Sequence, residues 1–289
     1  MQVLANGLVA GAAIALMATA FQAVYLPTRV FFVGLAGIYS AAPFVAYAVL
    51  LHGGGWAVAL AAAVAFSVAA SLLCEWANHA VLARCNASDG AHLLTSLGIY
   101  ISVIQVIGLI WGNEAKSLRS GVGFVSHVGG IVVTGAQWIT LGVATILVTA
   151  FALFLLRSNL GLRLRALADN PAEFALRGYN VDLHRLLAFG IAGFLAAGGS
   201  LVVSYDVGFD PHVGLDTLLL AIVAVFIGGR DSFCGPGIAG ILLGIVRCEV
   251  AWLFGSRWQD AITFALLLLF LFLRPQGLLG QKRRLEVRT

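Results

Sequence analysis

Long runs of apolar residues, separated by short polar gaps, dominate the pattern along the chain. A helix needs about 20 apolar residues to cross the hydrocarbon core of a bilayer. Stretches that approach or exceed this length lie at residues 3–26, 29–51, 56–82, 92–112, 135–157, 185–206, 215–229, 236–254 and 258–274. The seventh is short and ends in Gly228-Gly229, which is typical of a half-span or a re-entrant segment. The pattern predicts an all-α polytopic membrane protein of about 8–10 transmembrane helices, some of them broken by Gly or Pro.

Composition and cysteine use narrow the class of protein further. The chain has 289 residues, of which 61% are hydrophobic and 10% are charged, and its mean hydropathy is +0.98. A soluble domain carries about 25% charged residues, so a water-soluble fold and a disordered chain are excluded. The four cysteines have no CxxC spacing, which leaves no zinc or redox motif and favours a role as small packing residues.

The distribution of basic residues predicts the orientation in the membrane. The net charge of +4 does not indicate nucleic-acid binding, because Lys and Arg lie in the gaps between apolar stretches, as in cytoplasmic loops. With nine crossings and a cytoplasmic C-terminus, the N-terminus lies outside; an even number of full spans is the alternative if one segment is re-entrant. The basic residues that then face the cytoplasm are Arg29, Arg84, Arg157, Arg163, Arg165, Arg177, Arg185, Arg230, Arg274, Lys282, Arg283, Arg284 and Arg288. Those outside or near the outer edge are Lys116, Arg119, Arg247 and Arg257.

Two loops interrupt the apolar pattern. Residues 113–134 mix charged, glycine and β-branched residues, and we expect them to form a small extracytoplasmic cap. Residues 157–185 are the most polar segment, and we expect them in the cytoplasm. Neither loop is long enough to fold separately, so residues 1–289 are interpreted as a single transmembrane domain.

Small residues within the apolar stretches predict close packing of helices. Gly7 and Gly11 form a GxxxG pattern in the first stretch, and Gly190 and Gly193 recur in the sixth. The two glycine-rich stretches are weakly similar to each other, in GLVAGAAIALM and GIAGFLAAGGSLV. They run in opposite directions in the predicted topology. This is compatible with an inverted repeat, although the similarity is too short to establish one.

The sequence lacks the motifs of a catalytic site. No GxxxxGK[ST], GxSxG or HExxH occurs, so we expect no catalytic residue, no metal and no cofactor in this chain. The histidines lie near predicted span ends or in loops, which favours interfacial positions; they are His52, His79, His92, His127, His184 and His212. Acidic residues near span ends disfavour a proton relay; they are Asp206, Asp210, Asp216, Glu249 and Asp260.

The 157–185 loop has the pattern of a short capped helix. Asn170 followed by Pro171 suits an N-cap and the first helical position. Glu173 suits the positive end of the helix dipole, and Gly178 is a natural end to the helix. A short exposed helix with basic flanks is typical of a docking element. An ordinary solvated loop is the alternative.

A second motif, IGGRDSFCGPGIAGILLG at residues 227–244, contains glycines and a proline that break a helix. Irregular backbone at membrane depth is tolerated only inside protein or beside a water-filled path, so the motif points to a translocation path. A tight surface loop is the alternative, because Arg230 and Asp231 lie within it. A third motif, RPQGLLG at residues 274–280, closes the last stretch, with Pro275 as a helix stop.

Together these motifs resemble the permease subunits of branched-chain amino acid ABC importers, the high-affinity leucine permease family. The first motif lies within the 157–185 loop. The residues in it that match the family are Gly161, Arg165, Ala166, Ala168, Asp169, Asn170, Ala175, Gly178 and Asn180. All three motifs follow the family's order and spacing, although Asp231 replaces a usual glycine. FFVGLAGIYSAAPF at residues 31–44 departs from the family's N-F-A-H-G pattern, which predicts a more apolar path.

The resemblance implies an importer subunit of the bacterial inner membrane that works by alternating access. It implies two cytoplasmic ATPase subunits that bind ATP and Mg, a second permease chain that is identical or related, and a soluble substrate-binding protein. The residues that would couple to the ATPase are Asp169, Asn170, Pro171, Glu173, Arg177 and Gly178. Those of the translocation path and helix break would be Gly228, Gly229, Ser232, Gly235, Pro236, Gly237, Tyr39 and Ser40.

Two other classes of protein stay open at this point. A secondary carrier or channel for a small solute needs no ATPase, and the lack of mid-membrane charges and the polar 157–185 loop disfavour it. A membrane enzyme is disfavoured by the lack of catalytic pairs. The substrate stays open among branched-chain amino acids, urea, amides and other small solutes.

Overall fold

The computed structural model describes residues 1–85, 87–118, 124–128, 130–274 and 276–279. Helices dominate this part of the chain, and its two strands form one short hairpin. Some residues of the sequence analysis lie outside the described residues, namely Arg119, Pro275, Gly280, Lys282, Arg283, Arg284 and Arg288. The predicted basic C-terminus and the end of the third motif therefore have no structural description.

Twelve α-helices and a β-hairpin make up the described fold. The helices are α1 (Gln2–Thr28), α2 (Gly34–Leu51), α3 (Trp56–Cys74), α4 (Ala80–Arg84), α5 (Asp89–Trp111), α6 (Gly135–Arg157), α7 (Asn159–Asp169), α8 (Pro171–Leu176), α9 (Val181–Asp206), α10 (Val213–Gly228), α11 (Gly235–Phe254) and α12 (Gln259–Leu273). Strands β1 (Val125–Val128) and β2 (Ile131–Thr134) pair antiparallel. A π-helical turn (Glu75–His79) joins α3 to α4, and a 3-10 turn (Ser256–Trp258) precedes α12.

Eight helical segments in the described part of the chain are long and apolar enough to cross a membrane. One segment combines α3, the π turn and α4, and another combines the 3-10 turn and α12. Helix α10, with 16 residues, is the short apolar helix that corresponds to the seventh stretch. These helices confirm the predicted all-α polytopic membrane fold.

Contacts between loops divide the helix ends into two faces. On the hairpin face, Gln2 donates a hydrogen bond to the Val132 oxygen at 2.8 Å, and the backbones of Lys116 and Phe209 pair. On the loop face, Arg29 lies 3.2 Å from Asp231. The hairpin face comprises residues 1, 52–55, 112–118, 124–134 as far as they are described, 207–212 and 255–258. The loop face comprises residues 29–33, 85, 87–88, 158–180, 229–234, 274 and 276–279.

Glycines pack α1 closely against α11. An added Cβ at Gly11 would lie 2.6 Å from the Ile241 oxygen, and one at Gly7 would lie 2.8 Å from the Ile245 Cα. Neither distance leaves room for a methyl group. The two backbones can approach each other this closely because both positions are glycine. The GxxxG packing predicted for the first stretch is confirmed.

Two helices begin inside the protein. The N–H of Gly34, at the start of α2, donates to the Ser96 hydroxyl at 2.8 Å, and the N–H of Gly214, near the start of α10, donates to the Ser40 hydroxyl at 3.0 Å. Both bonds are buried. The first N–H groups of a helix have no partner within the helix, so hydroxyls of neighbouring helices satisfy them here. The predicted stretch 29–51 is therefore interrupted before α2.

Helices α1 and α9 occupy corresponding positions and run in opposite directions. Helix α1 packs against α9, α10 and α11, and α9 packs against α1, α2 and α3. Each is followed by a short irregular connection and by a helix that begins inside the protein. This arrangement has the pattern of an inverted repeat, which the sequence similarity alone could not establish.

Candidate translocation site

A cavity lies among the central helices, in the half of the bundle nearer the hairpin face. Its volume is about 410 Å³, within the range of about 300–1,000 Å³ usual for small-molecule sites. The residues that line it are Asn6, Val9, Ala10, Ala13, Ile14, Tyr39, Gln137, Thr140, Val203, Asp206, Val207, Thr217, Leu220, Gly244, Arg247, Cys248 and Gln259. They come from α1, α2, α6, α10, α11, α12 and the end of α9, so the cavity is a feature of the tertiary structure.

The wall of the cavity combines apolar surface with a few polar groups. Val9, Ile14 and Leu220 are apolar, whereas Asp206 and Arg247 carry opposite charges. A mostly apolar wall with a small number of polar groups is typical of a site that orients a small ligand. The cavity is therefore the candidate binding site for a transported solute.

Three protein groups bind Arg247 at this wall, two through its side chain and one through its backbone. Its Nη1 donates to Asp260 Oδ1 at 3.0 Å and to Thr263 Oγ1 at 2.9 Å. Its backbone oxygen accepts a hydrogen bond from the Gln259 amide at 3.2 Å. These bonds tie α11 to α12 beside the cavity, so the position of the guanidinium is set by the packing of the two helices.

The predicted path residues lie in two separate places. Tyr39 lines the cavity, and its backbone oxygen accepts a hydrogen bond from the buried Ser200 hydroxyl. Ser40 lies beside it and accepts the hydrogen bond from Gly214 described above. The others do not line this cavity and belong to the connection between α10 and α11; they are Gly228, Gly229, Ser232, Gly235, Pro236 and Gly237.

The connection between α10 and α11 is a tight turn at the loop face. The backbones of Gly228 and Gly235 approach each other where a Cβ has no room. The side-chain amide of the buried Gln22 donates to the backbone oxygens of Arg230 at 2.8 Å and Ser232 at 2.9 Å. Arg230 is exposed, whereas Gly228, Gly229 and Gly235 are buried, and the role of this connection in a translocation path stays a prediction.

The short helix α8 has the predicted local structure. The Asn170 side chain accepts a hydrogen bond from the Glu173 N–H at 3.2 Å. The chain leaves the helix at Gly178, whose φ of +82° favours glycine. Arg177 lies 3.1 Å from Glu173, four residues earlier, and both side chains are exposed. The predicted cap is thus confirmed, and the role of the helix in coupling stays a prediction.

Aromatic contacts attach α8 to the start of α9. Asp169 ends α7 and Pro171 begins α8, so these two residues flank the cap. The buried Phe174 stacks on Tyr179, with ring centroids 5.0 Å apart, and meets the His184 ring edge to face at 5.0 Å. A displacement of α8 would therefore be passed to α9 through this cluster.

A buried polar cluster near the loop face was not predicted. Glu75 of the π turn lies 2.7 Å from Arg185 of α9, and His79 Nδ1 lies 3.1 Å from His92 Nδ1 of α5. His79, His92 and His184 lie near helix ends, as expected, but neighbouring helices bury them. The sequence signal for this cluster was the spacing of Glu75 and His79, because residues four apart lie on the same side of a helix.

Comparisons with known proteins assign the chain to a family. A model described as "Branched-chain amino acid transport system / permease component" matches residues 3–271. The high-affinity branched-chain amino acid transport system permease protein BraD of Pseudomonas aeruginosa is 29% identical over an alignment of 195 positions, which covers 65% of this chain and 64% of that protein. The corresponding protein LivH of Escherichia coli is 27% identical over an alignment of 295 positions, which covers 97% of this chain and 96% of that protein. The match to BraD thus covers slightly less than two thirds of its length.

A solved structure shares the fold. A chain of PsaBC from Streptococcus pneumoniae in complex with Fab aligns with a TM-score of 0.56 and 14% identity, over 96% of this chain and 93% of that one. At this identity the likeness concerns the fold alone. The family model covers nearly the whole chain and confirms the resemblance that the motifs indicated. The chain therefore belongs to the family of branched-chain amino acid transport system permease components.

Proposed function

We propose that this chain is the membrane-spanning permease subunit of an ATP-driven importer that moves branched-chain amino acids into the cytoplasm. The cavity of about 410 Å³ within the helical bundle carries the proposal, because it provides a site of suitable size for a small solute. The names of BraD and LivH support the substrate class. The absence of an ATP-binding motif from the sequence supports a separate ATPase.

In this proposal the loop face lies in the cytoplasm of a bacterial cell and the N-terminus lies outside. Cytoplasmic loops of membrane proteins carry an excess of Lys and Arg. Described basic residues on or next to the loop face are Arg29, Arg84, Arg157, Arg163, Arg165, Arg177, Arg185, Arg230 and Arg274. Those nearer the hairpin face are Lys116, Arg247 and Arg257. The cavity then lies nearer the outside, where a soluble binding protein delivers the substrate.

The α7–α8 segment is the coupling element of the proposal. It is exposed on the loop face, and its Phe174 cluster connects it to α9, whose far end borders the cavity. Two cytoplasmic ATPase subunits bind ATP and Mg, and their motion displaces α8. A second permease chain, identical or related, completes the path. Alternating access follows when the displacement of α9 opens the path on one side and closes it on the other.

Reconstituted transport tests the proposal. The permease, its ATPase subunits and its permease partner are placed in proteoliposomes with ATP enclosed, and the binding protein and labelled L-leucine are added outside. We expect uptake only when both enclosed ATP and the binding protein are present. A nonhydrolysable ATP analogue is the matched control.

The competing function, a secondary carrier or channel, predicts leucine uptake that requires neither ATP nor the binding protein. Vesicles that contain only this chain would then take up leucine down its own gradient or in response to a proton or sodium gradient. Such uptake, at a rate unaffected by the ATPase subunits and ATP, would overturn the proposal.

A further inference from the structure

We propose that the groove between α6 and α9, on the outside of the helical bundle, binds an anionic phospholipid, with an acyl chain in the groove and the phosphate group at Arg157. The inference goes beyond the proposed function, because it concerns the outer surface of the bundle and not the path of the solute. It gives the chain one defined place where the lipid composition of the membrane acts.

The groove contains an apolar cleft in its half nearer the loop face, which we call the loop-side cleft. Its volume is about 230 Å³. Its lining includes Leu147, Ala150, Phe151 and Phe154 of α6 and Ile191 and Phe194 of α9. Phe194 is 44% exposed, so the cleft is open on the outer side of the bundle. Both helices are long and apolar enough to cross the membrane, so this side meets hydrocarbon.

The side chains of the cleft suit a flexible hydrocarbon chain better than another helix. Contacts between membrane helices are enriched in small residues, which let the backbones approach each other. Helices α1 and α11 meet in this way at Gly7 and Gly11. The loop-side cleft, in contrast, is lined by large side chains such as Phe151, Phe154 and Ile191. They keep a second backbone at a distance but leave room for a narrow chain, so the matching occupant is an acyl chain and not a second permease chain.

The length of the cleft matches one leaflet of the membrane. At the end farther from the loop face, Leu147 packs against Gly198, where an added Cβ would lie 2.5 Å from Leu147 Cδ1. The distance along a helix from position 147 to position 157 is about 15 Å. Half of the hydrocarbon core of a bilayer is also about 15 Å thick. An acyl chain that begins at the level of Arg157 therefore reaches the contact between Leu147 and Gly198.

Arg157 supplies a positive charge at the loop-face end of the cleft. It is the last residue of α6 and lies one helical turn after Phe154, on the same side of the helix. Its side chain is exposed, and no other described residue forms a hydrogen bond or an ion pair with its guanidinium. Arg84 and Arg177, which are also exposed, are paired with carboxylates. The donors of Arg157 are therefore available to a phosphate group, which a guanidinium binds through two parallel hydrogen bonds.

A second basic residue lies near the same end of the cleft, beside α9. The guanidinium of Arg163 in α7 lies 5.0 Å from the centre of the Tyr179 ring, and that ring lies 6.4 Å from the ring of His184, in the first turn of α9. His184 lies two helical turns before Ile191 of the cleft, on the same side of α9. Positive charge is thus found at the loop-face ends of both helices that border the cleft. Basic pockets between membrane helices are typical binding sites for anionic lipid head groups.

Photocrosslinking in nanodiscs locates the lipid. The full-length chain is placed in phosphatidylcholine nanodiscs that contain a small fraction of phosphatidylglycerol with a diazirine in its acyl chain. After irradiation, the adducts are mapped on proteolytic peptides by mass spectrometry. We expect adducts concentrated on residues 147–154 and 191–195, and unlabelled phosphatidylglycerol should displace the probe from them. A phosphatidylcholine probe with the same diazirine should label these segments no more than the other outward surfaces.

Variants separate the charge of Arg157 from the fold. Arg157→Gln should lower the labelling of the two segments by the phosphatidylglycerol probe roughly fivefold, as expected when one basic residue near an anionic lipid is lost. Arg157→Lys keeps the charge and should retain most of the labelling. Arg274→Gln is the matched control, because Arg274 is an exposed arginine at the end of the membrane helix α12 on the same face and does not line the cleft. Ala150→Trp fills the cleft and should remove the labelling although Arg157 is kept.

Several results would overturn the inference. These are equal labelling by the two probes, adducts spread evenly over outward helices such as α12, and unchanged labelling in Arg157→Gln. Equal losses in Arg157→Gln and Arg274→Gln would also overturn it, because the effect would then belong to surface charge in general. If Ala150→Trp does not fold, the variants at Arg157, an exposed helix end, still give the test.

The same assay on the chain assembled with its permease partner and ATPase subunits distinguishes the two possible occupants of the groove. Labelling that persists in the complex supports the lipid, whereas labelling that disappears would show that the partner chain covers the groove and would overturn the inference. Leucine uptake that depends on ATP is measured separately. The inference and the proposed function can therefore fail independently of each other.

Discussion

The Glu75–Arg185 ion pair shows how a single buried charge constrains this fold. Its side chains are 2% and 13% exposed, and the distance between Nε and Oε1 is 2.7 Å. Removing two charges from water costs free energy that their attraction only partly recovers, so such a pair adds little net stability. Removing one partner, however, leaves the other charge buried and unpaired. The pair therefore fixes the π turn of α3 against the start of α9.

We expect Glu75→Gln to lower the stability of the permease strongly, by about 3–5 kcal/mol, because Arg185 loses its counter-charge. The Arg84–Asp182 pair lies close to the Glu75–Arg185 pair, between α4 and the start of α9, but it is exposed. Arg84→Ala is thus a matched control, with an expected cost of about 0–1 kcal/mol. Thermal unfolding of the purified chain in nanodiscs measures both. Equal shifts in the two variants would contradict the role of burial.

A second single-residue prediction concerns Gly11. We expect Gly11→Ala to destabilise the chain by about 1–3 kcal/mol, because the added methyl group would lie 2.6 Å from the Ile241 oxygen and force α1 away from α11. Gly142, in the interior of α6, has no atom within 4 Å of an added Cβ, so Gly142→Ala is the control. The same unfolding assay compares them. A larger loss in Gly142→Ala would show that the α1–α11 approach tolerates a methyl group.

At the scale of elements, α8 combines stability of its own with an exposed surface. Its N-cap, its proline at the first position and its glycine end are all supplied locally. Glu173 and Arg177 pair with each other on one exposed side. Since this surface contributes little to folding, its charges are available for contact with another protein.

Exchange of these charges tests the coupling role of α8. Glu173→Arg combined with Arg177→Glu keeps the internal pair, so the stability of the isolated chain should change by less than about 0.5 kcal/mol. At a docking contact, loss of a charged partner costs about 2–5 kcal/mol, so co-purification with the ATPase should fall sharply. The exchange Arg84→Asp with Asp182→Arg, at another exposed pair, should leave co-purification intact. Normal co-purification and transport in the α8 variant would remove α8 from the coupling role.

At the scale of the whole molecule, the two faces give a direct test of orientation. Phe124, beside β1, and Leu176, at the end of α8, are both exposed and lie on opposite faces. Cysteines placed there, in a chain without other cysteines, are treated with a membrane-impermeant thiol reagent. We expect Phe124→Cys to react in intact cells and Leu176→Cys to react only in inverted vesicles. The reverse result would invert the proposed topology.

The cavity lies between α1 and the end of α9, the two helices that run in opposite directions. Helix α1 contributes one wall, and the end of α9, with α10 and α11, contributes another. Because α1 and α9 run in opposite directions, a movement of one helix relative to the other opens the cavity to one face while it closes the cavity to the other. The arrangement of helices thus supplies the geometry that alternating access needs.

The sequence by itself determined the class of the protein, most of its helices, the family and the local structure of α8. Apolar length reports a membrane span because the backbone must satisfy its own hydrogen bonds in the bilayer. The cap at Asn170 and the glycine end at Gly178 are local interactions, so they could be predicted from neighbouring residues. The GxxxG pattern of Gly7 and Gly11 likewise predicted close packing, although it did not name α11 as the partner.

Only the tertiary structure decided which distant residues meet. Tyr39, Asp206 and Arg247 form one cavity although they belong to α2, α9 and α11, and no spacing in the sequence relates them. The burial of Glu75 and His79 depends on the π turn and on the helices packed against it. Hydrophobic pattern records whether a position avoids water, but side chains from separate helices are brought together by packing, which the pattern of one chain segment does not encode.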